Sequence, residues 1–136
     1  MSDAVAHLRV RDVMQTDFDT IDGMQSVADA LKLMRVRSRT AVIVERKHGD
    51  DEYGMLLVSD IARLVIARDR NPARVNVYEI MAKPVLSVHP DMKINYCARL
   101  LQQFNITRAP VIDNRHVVGL VSFDDLVLKG LIEDPE

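Results

Sequence analysis

Apolar and polar positions along this chain follow one scheme, and the scheme comes twice. Residues 18–21 and 85–88 are short stretches rich in β-formers and predict extended chain. Val27, Ala30, Leu31 and Met34 then recur at helical spacing, as do Ile94, Cys97, Leu101 and Phe104, so an amphipathic helix is predicted in each case. Two short apolar runs follow in each half, 41–45 with 54–58 and 109–113 with 117–121, joined by polar stretches that read as hairpins. A second helix closes each half, carrying Ile61, Leu64 and Val65 in one and Leu126, Val127 and Leu131 in the other. The predicted order is β-α-β-β-α, twice.

The letters echo the pattern. Asp12-Val13-Met14 returns as Glu79-Ile80-Met81 at an offset of 67, and "SVADALKLM" returns as "KINYCARLL" at the same offset. "TAVIVE" then meets "RAPVID", and "GMLLVSDI" meets "GLVSFDDL". Blocks in one order, with length changes only between them, mark an internal duplication. "RDRNPARVN" (68–76) links the copies, and Asn71-Pro72 breaks the helix before it. This divides the chain into a first repeat, 1–70, and a second, 71–136. A copy of about 60 residues buries its core poorly alone, so the two are expected to form one folding unit. The expected fold class is α+β: two β-α-β-β-α repeats packed sheet to sheet with pseudo-two-fold symmetry.

Composition narrows the function. The 136 residues carry a net charge of −2, and aromatics make up only 4%. A basic surface and aromatic stacking platforms are both missing, so nucleic acid is not an expected partner. No apolar run approaches a membrane span, and the N-terminus has no apolar signal region. The lone cysteine, Cys97, lies on the apolar face of a predicted helix and reads as a buried, inert thiol. A cytoplasmic protein is expected. His7, His48, His89 and His116 show no metal-ligand spacing, and no nucleophile elbow, P-loop or dinucleotide fingerprint occurs. Asp50-Asp51-Glu52 reads as a solvated charge run. No catalytic residue, metal site or resident cofactor is predicted.

The chemistry concentrates at the strand-to-helix turn. Ser122-x-x-Asp125 before an apolar run reads as a capping box, in which the acid is Asp instead of Glu. The same oxygens also suit a ligand: a carboxylate only accepts, and a cis-diol brings it two donors. From the residues alone both readings stand. In the first copy Gly54 and Asp60 keep the spacing, but Leu57 replaces the hydroxyl, and Ser59 reads as a cap of the following helix. "MRVRSR" carries Arg35, Arg37 and Arg39, either a solvated helix end or, at Arg39, a fork for phosphate.

With these residues in place the chain resembles a tandem CBS-domain pair, the Bateman module. Asp12-Val13-Met14 with Glu79-Ile80-Met81, "RAPVID" and "GLVSFDDL" carry the resemblance over residues 9 to 131. It implies a regulatory sensor that binds an adenosine-containing ligand (AMP, ADP, ATP or S-adenosylmethionine) between repeats and signals to a partner protein. The alternative it leaves is a structural or dimerisation module with no ligand. It also implies a homodimer and no catalysis of its own. Carried over, the stronger cleft comprises Ser122 and Asp125 facing Phe18, Arg39, Thr40 and Ala41, with phosphate favoured at the helix N-terminus. The weaker comprises Asp60 facing Val85, Thr107, Arg108 and Ala109. Val42 stands where the family usually has proline.

Overall fold

The computed structural model describes residues 7–83 and 86–131, and these form two compact units. One holds residues 7–18 and 86–131; the other holds 19–83. The cut does not follow the repeats at 1–70 and 71–136. Each repeat's leading segment belongs with the body of the other repeat.

The 19–83 unit is built on a three-stranded sheet ordered β1 (Thr20–Ile21), β2 (Ala41–Val44), β3 (Gly54–Leu57). β1 runs parallel to β2, with Thr20 opposite Ile43, and β2 pairs antiparallel with β3, from Ala41 opposite Leu57 to Val44 opposite Gly54. The 7–18/86–131 unit has the antiparallel pair β4 (Arg108–Asp113) and β5 (His116–Ser122). There, among the described residues, only Val88 bridges in parallel, to Val111, as the counterpart of β1. The first extended stretches are thus shorter than predicted, and Val85 lies outside the described residues. Ile43 N–H to the Asp19 carbonyl, and Val88 N–H to the Pro110 carbonyl, are both 3.0 Å.

Helices cover the sheets by their apolar stripes. α2 (Val27–Arg37) buries Val27, Ala30 and Met34, and Ser26 caps it by accepting from Asp29 N–H at 3.0 Å. α5 (Ile94–Gln103) buries Ile94, Cys97 and Leu101. Both helices end at a left-handed polar residue at matching positions, Ser38 with φ 56° and Asn105 with φ 56°. Burial pushes the Cys97 thiol up to about 11, so it stays an unreactive core thiol. The second helix of the first repeat departs from the prediction. α3 (Val58–Ile61) is one turn long and widens into a π-helical segment, Ala62–Ile66, closed by Ala67 N–H on the Ala62 carbonyl at 2.9 Å.

The leading segments explain the Asp-Val-Met and Glu-Ile-Met letters. α1 (Val10–Val13) and α4 (Val77–Ile80) are single turns whose third residue caps the start. Arg9 N–H donates to Asp12 at 2.8 Å, and Asn76 N–H to Glu79 at 2.8 Å. Val13 and Ile80 enter the cores. Met14 and Met81 then lie against a motif glycine: a Cβ on Gly119 would meet Met14 Sδ at 2.9 Å and the Gln15 carbonyl at 2.8 Å, and one on Gly54 would meet Met81 Sδ at 2.6 Å. Glycine serves both positions through this close approach, strictly at Gly119 where backbone is met, and not through its dihedral freedom. Beyond each methionine the chain pairs antiparallel with the strand after the glycine, Gln15 with Leu120 and Ala82 with Met55.

Each core consequently mixes the copies. Val10 and Val13 join Val88, Val111, Val121 and Leu126; Val77 and Ile80 join Val42, Val44, Leu56 and Val65.

Candidate functional site

In the 7–18/86–131 unit β5 runs straight into α6 (Phe123–Leu128), with Ser122 as the extended residue between them. Ser122 Oγ accepts from Asp125 N–H at 3.2 Å, and Asp125 Oδ2 accepts from Ser122 N–H at 3.0 Å and from the Ser122 hydroxyl at 3.1 Å. The capping box is therefore formed in full. Phe123 N–H is taken by the Thr107 carbonyl at 3.0 Å. Two first-turn N–H groups that a phosphate was expected to meet thus already have internal acceptors.

The capping bonds use one oxygen of Asp125. The other, Oδ1, takes the Gln15 side-chain amide at 3.2 Å and has Lys129 Nζ at 3.4 Å. Lys129 Nζ also donates to the Val13 carbonyl at 3.2 Å. Asp125 is only 5% exposed, so both oxygens depend on these donors in place of water.

The 19–83 unit repeats the plan with fewer parts. Val58 N–H meets the Thr40 carbonyl at 3.0 Å, as Phe123 meets Thr107. Asp60, also 5% exposed, accepts Leu57 N–H on Oδ2 at 3.1 Å and Arg63 Nη2 on Oδ1 at 2.7 Å. Leu57 occupies the N-cap with no side-chain bond to offer. Ser59, read from the sequence as the cap, instead lies inside α3, because the helix begins one residue earlier, at Val58.

The remaining expected residues fall as follows. Phe18, Thr107, Arg108 and Ala109 share a unit with Ser122 and Asp125, and Arg108 is directly opposite Ser122 in the ladder. Arg39, Thr40 and Ala41 share a unit with Asp60, and Ala41 is opposite Leu57. The structure thus brings each motif beside the strand start of its own repeat. Val85 is outside the described residues. Arg39 and Arg37 both bond Asp19 Oδ2 through Nε, at 2.7 and 3.1 Å. Arg39 foremost holds the Asp19 carboxyl below the usual carboxylate range. The "MRVRSR" run is therefore anchored at Arg37 and Arg39, in place of a wholly solvated helix end.

Three side chains that meet the aspartates escaped the sequence reading. Arg63 and Lys129 lie three and four residues beyond their aspartates, a helical spacing that could have named them. Gln15 is 110 residues from Asp125, and no local pattern points to it. Among the described residues no group of three or more metal-ligating side chains is placed to hold an ion, and no helix is long and apolar enough to cross a membrane.

The family model of the CBS domain matches twice, over residues 10–67 and 77–130. The chain belongs to the CBS-domain family. One relative is the CBS domain-containing protein YhcV of Bacillus subtilis, 30% identical over 122 residues, which cover 90% of this chain and 85% of that one. Among solved structures, the hexameric CBS-CP12 protein of bloom-forming cyanobacteria is 40% identical with a TM-score of 0.86, over 91% of this chain and 72% of that one. The CBS domain pair of protein MJ0100, solved with 5′-methylthioadenosine and S-adenosyl-L-methionine, is 25% identical with a TM-score of 0.75, over 88% of this chain and 97% of that one. The α+β tandem-repeat fold expected from the sequence is thus the fold found.

Proposed function

We propose that this CBS pair is a regulatory module that binds an adenosine-containing small molecule at its strand-to-helix turns and is not itself an enzyme. Ser122 and Asp125 would hold the ribose, with Phe18, Thr107, Arg108 and Ala109 of the same unit nearby. Asp60 with Arg39, Thr40 and Ala41 would be the lesser site. The observation that carries the reading is the second oxygen of Asp125. It is not used by the capping box and is met only by side-chain donors, which can yield to the hydroxyls of a ligand. The adenosyl ligands of the MJ0100 pair support the class. Signalling would follow from a ligand that prefers one of two arrangements of the protein, and by no more than that difference in affinity. A homodimer in the cytoplasm is the setting we propose for it.

Titration calorimetry of the whole chain with AMP, ADP, ATP and S-adenosylmethionine tests this. Micromolar binding, about −8 kcal/mol, is expected for at least one. Binding should be lost in Asp125→Ala. If no ligand binds below millimolar concentration, the reading fails. A second reading, a structural module without ligand, is favoured by one fact: Asp125 and Asp60 already have internal donors on both oxygens.

A further inference from the structure

Both units place a basic side chain on the same atom. Lys129 Nζ stands 3.4 Å from Oδ1 of Asp125, and Arg63 Nη2 stands 2.7 Å from Oδ1 of Asp60. The two cations are of different type and come from different helical positions, four and three residues after the acid. In each case Oδ2 takes the backbone N–H of the N-cap residue and Oδ1 meets the cation, which at Asp125 shares that oxygen with the Gln15 amide. Both aspartates are 5% exposed, whereas both cations reach solvent, with side chains 46% and 67% exposed. A buried carboxylate that loses its cation without replacement is costly, so the cation neutralises the empty site. It is also the more exposed member of the pair and the one able to swing out, Lys129 giving up its bond to the Val13 carbonyl as it does so.

We propose that Lys129 and Arg63 determine ligand specificity. Each covers the motif carboxylate when the site is empty, is displaced when ribose hydroxyls take Oδ1, and then pairs with an anionic group of the ligand. The inference rests on the ribosyl-binding reading above and adds the charge of the ligand. A phosphorylated nucleoside gives the displaced cation a new partner. An uncharged nucleoside displaces it and returns nothing, and a sulfonium sets a second positive charge beside it. The site thereby selects nucleotide phosphates over adenosine and over S-adenosylmethionine. The two units differ in degree. Gln15 remains on Oδ1 of Asp125 after Lys129 leaves, whereas the matching position in the other unit is Ala82, which has no donor side chain. Arg63 is therefore the less readily displaced of the two.

Calorimetry with AMP, adenosine and S-adenosylmethionine on the whole chain, and on Lys129→Gln, Arg63→Gln and the double variant, tests this. Thermal melts serve as the folding control. The wild type is expected to bind AMP at least about tenfold more tightly than S-adenosylmethionine, the size of one charge-assisted bond. In the double variant AMP should weaken by about tenfold while adenosine tightens, because nothing has to be displaced. Equal weakening of AMP and adenosine, or S-adenosylmethionine binding the wild type as tightly as AMP, overturns the specificity role and leaves the site intact. Absence of binding by all three ligands to the wild type overturns the site reading, and this inference falls with it.

Discussion

Asp125 and Asp60 end the same motif in two copies of one design, yet they are held by different means. Asp125 has a serine hydroxyl, a backbone N–H, an amide from 110 residues away and a lysine. Asp60 has a backbone N–H and an arginine. The loss of one hydroxyl, at Leu57, removes both a cap for the helix and a donor to the acid. Where the cap is intact the helix is regular; where it is missing, a single turn gives way to a π-helical segment. Duplication preserved the position of the carboxylate while the surroundings drifted, so the two aspartates are related in geometry and unequally held.

The glycines break this comparison most sharply. Gly119→Ala drives a Cβ into the backbone oxygen of Gln15, 2.8 Å away, which has nowhere to go. Gly54→Ala meets the thioether of Met81 at 2.6 Å, and that side chain can turn aside. We expect losses of about 3 kcal/mol for the first and about 1 kcal/mol for the second, read by urea unfolding. Equal losses would mean that the leading segments do not dock as described.

Removal of the acids comes next. Asp125→Ala strips a cap and strands the Gln15 amide, for about 2 kcal/mol. Asp60→Ala loses one backbone bond and a largely solvated arginine, for about 1 kcal/mol. The same unfolding measurement ranks them, and a reversed order would show that the richer network of Asp125 adds nothing.

Leu57→Ser should narrow the difference. It restores the missing cap and is expected to stabilise the 19–83 unit by about 0.5–1 kcal/mol. It should also raise amide protection across residues 58–66 in hydrogen exchange. No gain would mean that the π-helical segment is imposed by its own residues instead of by the lost cap.

Acid should have the smallest effect, and it should act unequally. The hairpin joining β2 and β3 is tied by Asp51, which accepts Lys47 N–H at 3.0 Å and pairs with Lys83 at 3.2 Å. Lys47 N–H, then Glu52 N–H and Lys83, hold the Asp51 carboxyl down to about 2. A depressed carboxyl stabilises the fold fully above the ordinary carboxylate value and stops doing so as pH falls through its own. Exchange at Lys47 N–H should therefore quicken, beyond the intrinsic rate, between pH 4 and about pH 2. Exchange in the short turn at Asn114-Arg115, which bends through two left-handed residues, serves as the reference. Asp51→Asn should flatten the profile; an unchanged one would show that the carboxylate does not hold the hairpin.

Most of the candidate site was legible because its logic is local. Ser122 and Asp125 lie within one turn, and their capping geometry follows from spacing alone. The departure at Leu57 was visible for the same reason. Ser59 misled because a serine just before an acid and an apolar run looks like a cap until the helix start is known. Arg39 offered two readings, a solvated helix end or a fork for phosphate, and its bond to Asp19, 20 residues away, belongs to neither.

The sequence by itself determined the duplication, the α+β repeat, most of the helical faces that enter the cores, with Phe104, Val127 and Leu131 left exposed, and the motif that ends each copy. All of these are carried by periods of two and 3.6 residues and by caps that reach three residues along the chain. Only the tertiary structure decided which copy each leading segment joins. Met14 fits against a motif glycine, and the chain has two such glycines in equivalent settings, so the letters suit either partner. The exchange places Met14 on Gly119, Met81 on Gly54 and Gln15 on Asp125. It depends on the path of the backbone across 7–18 and 77–83, and a periodic pattern holds no record of that path.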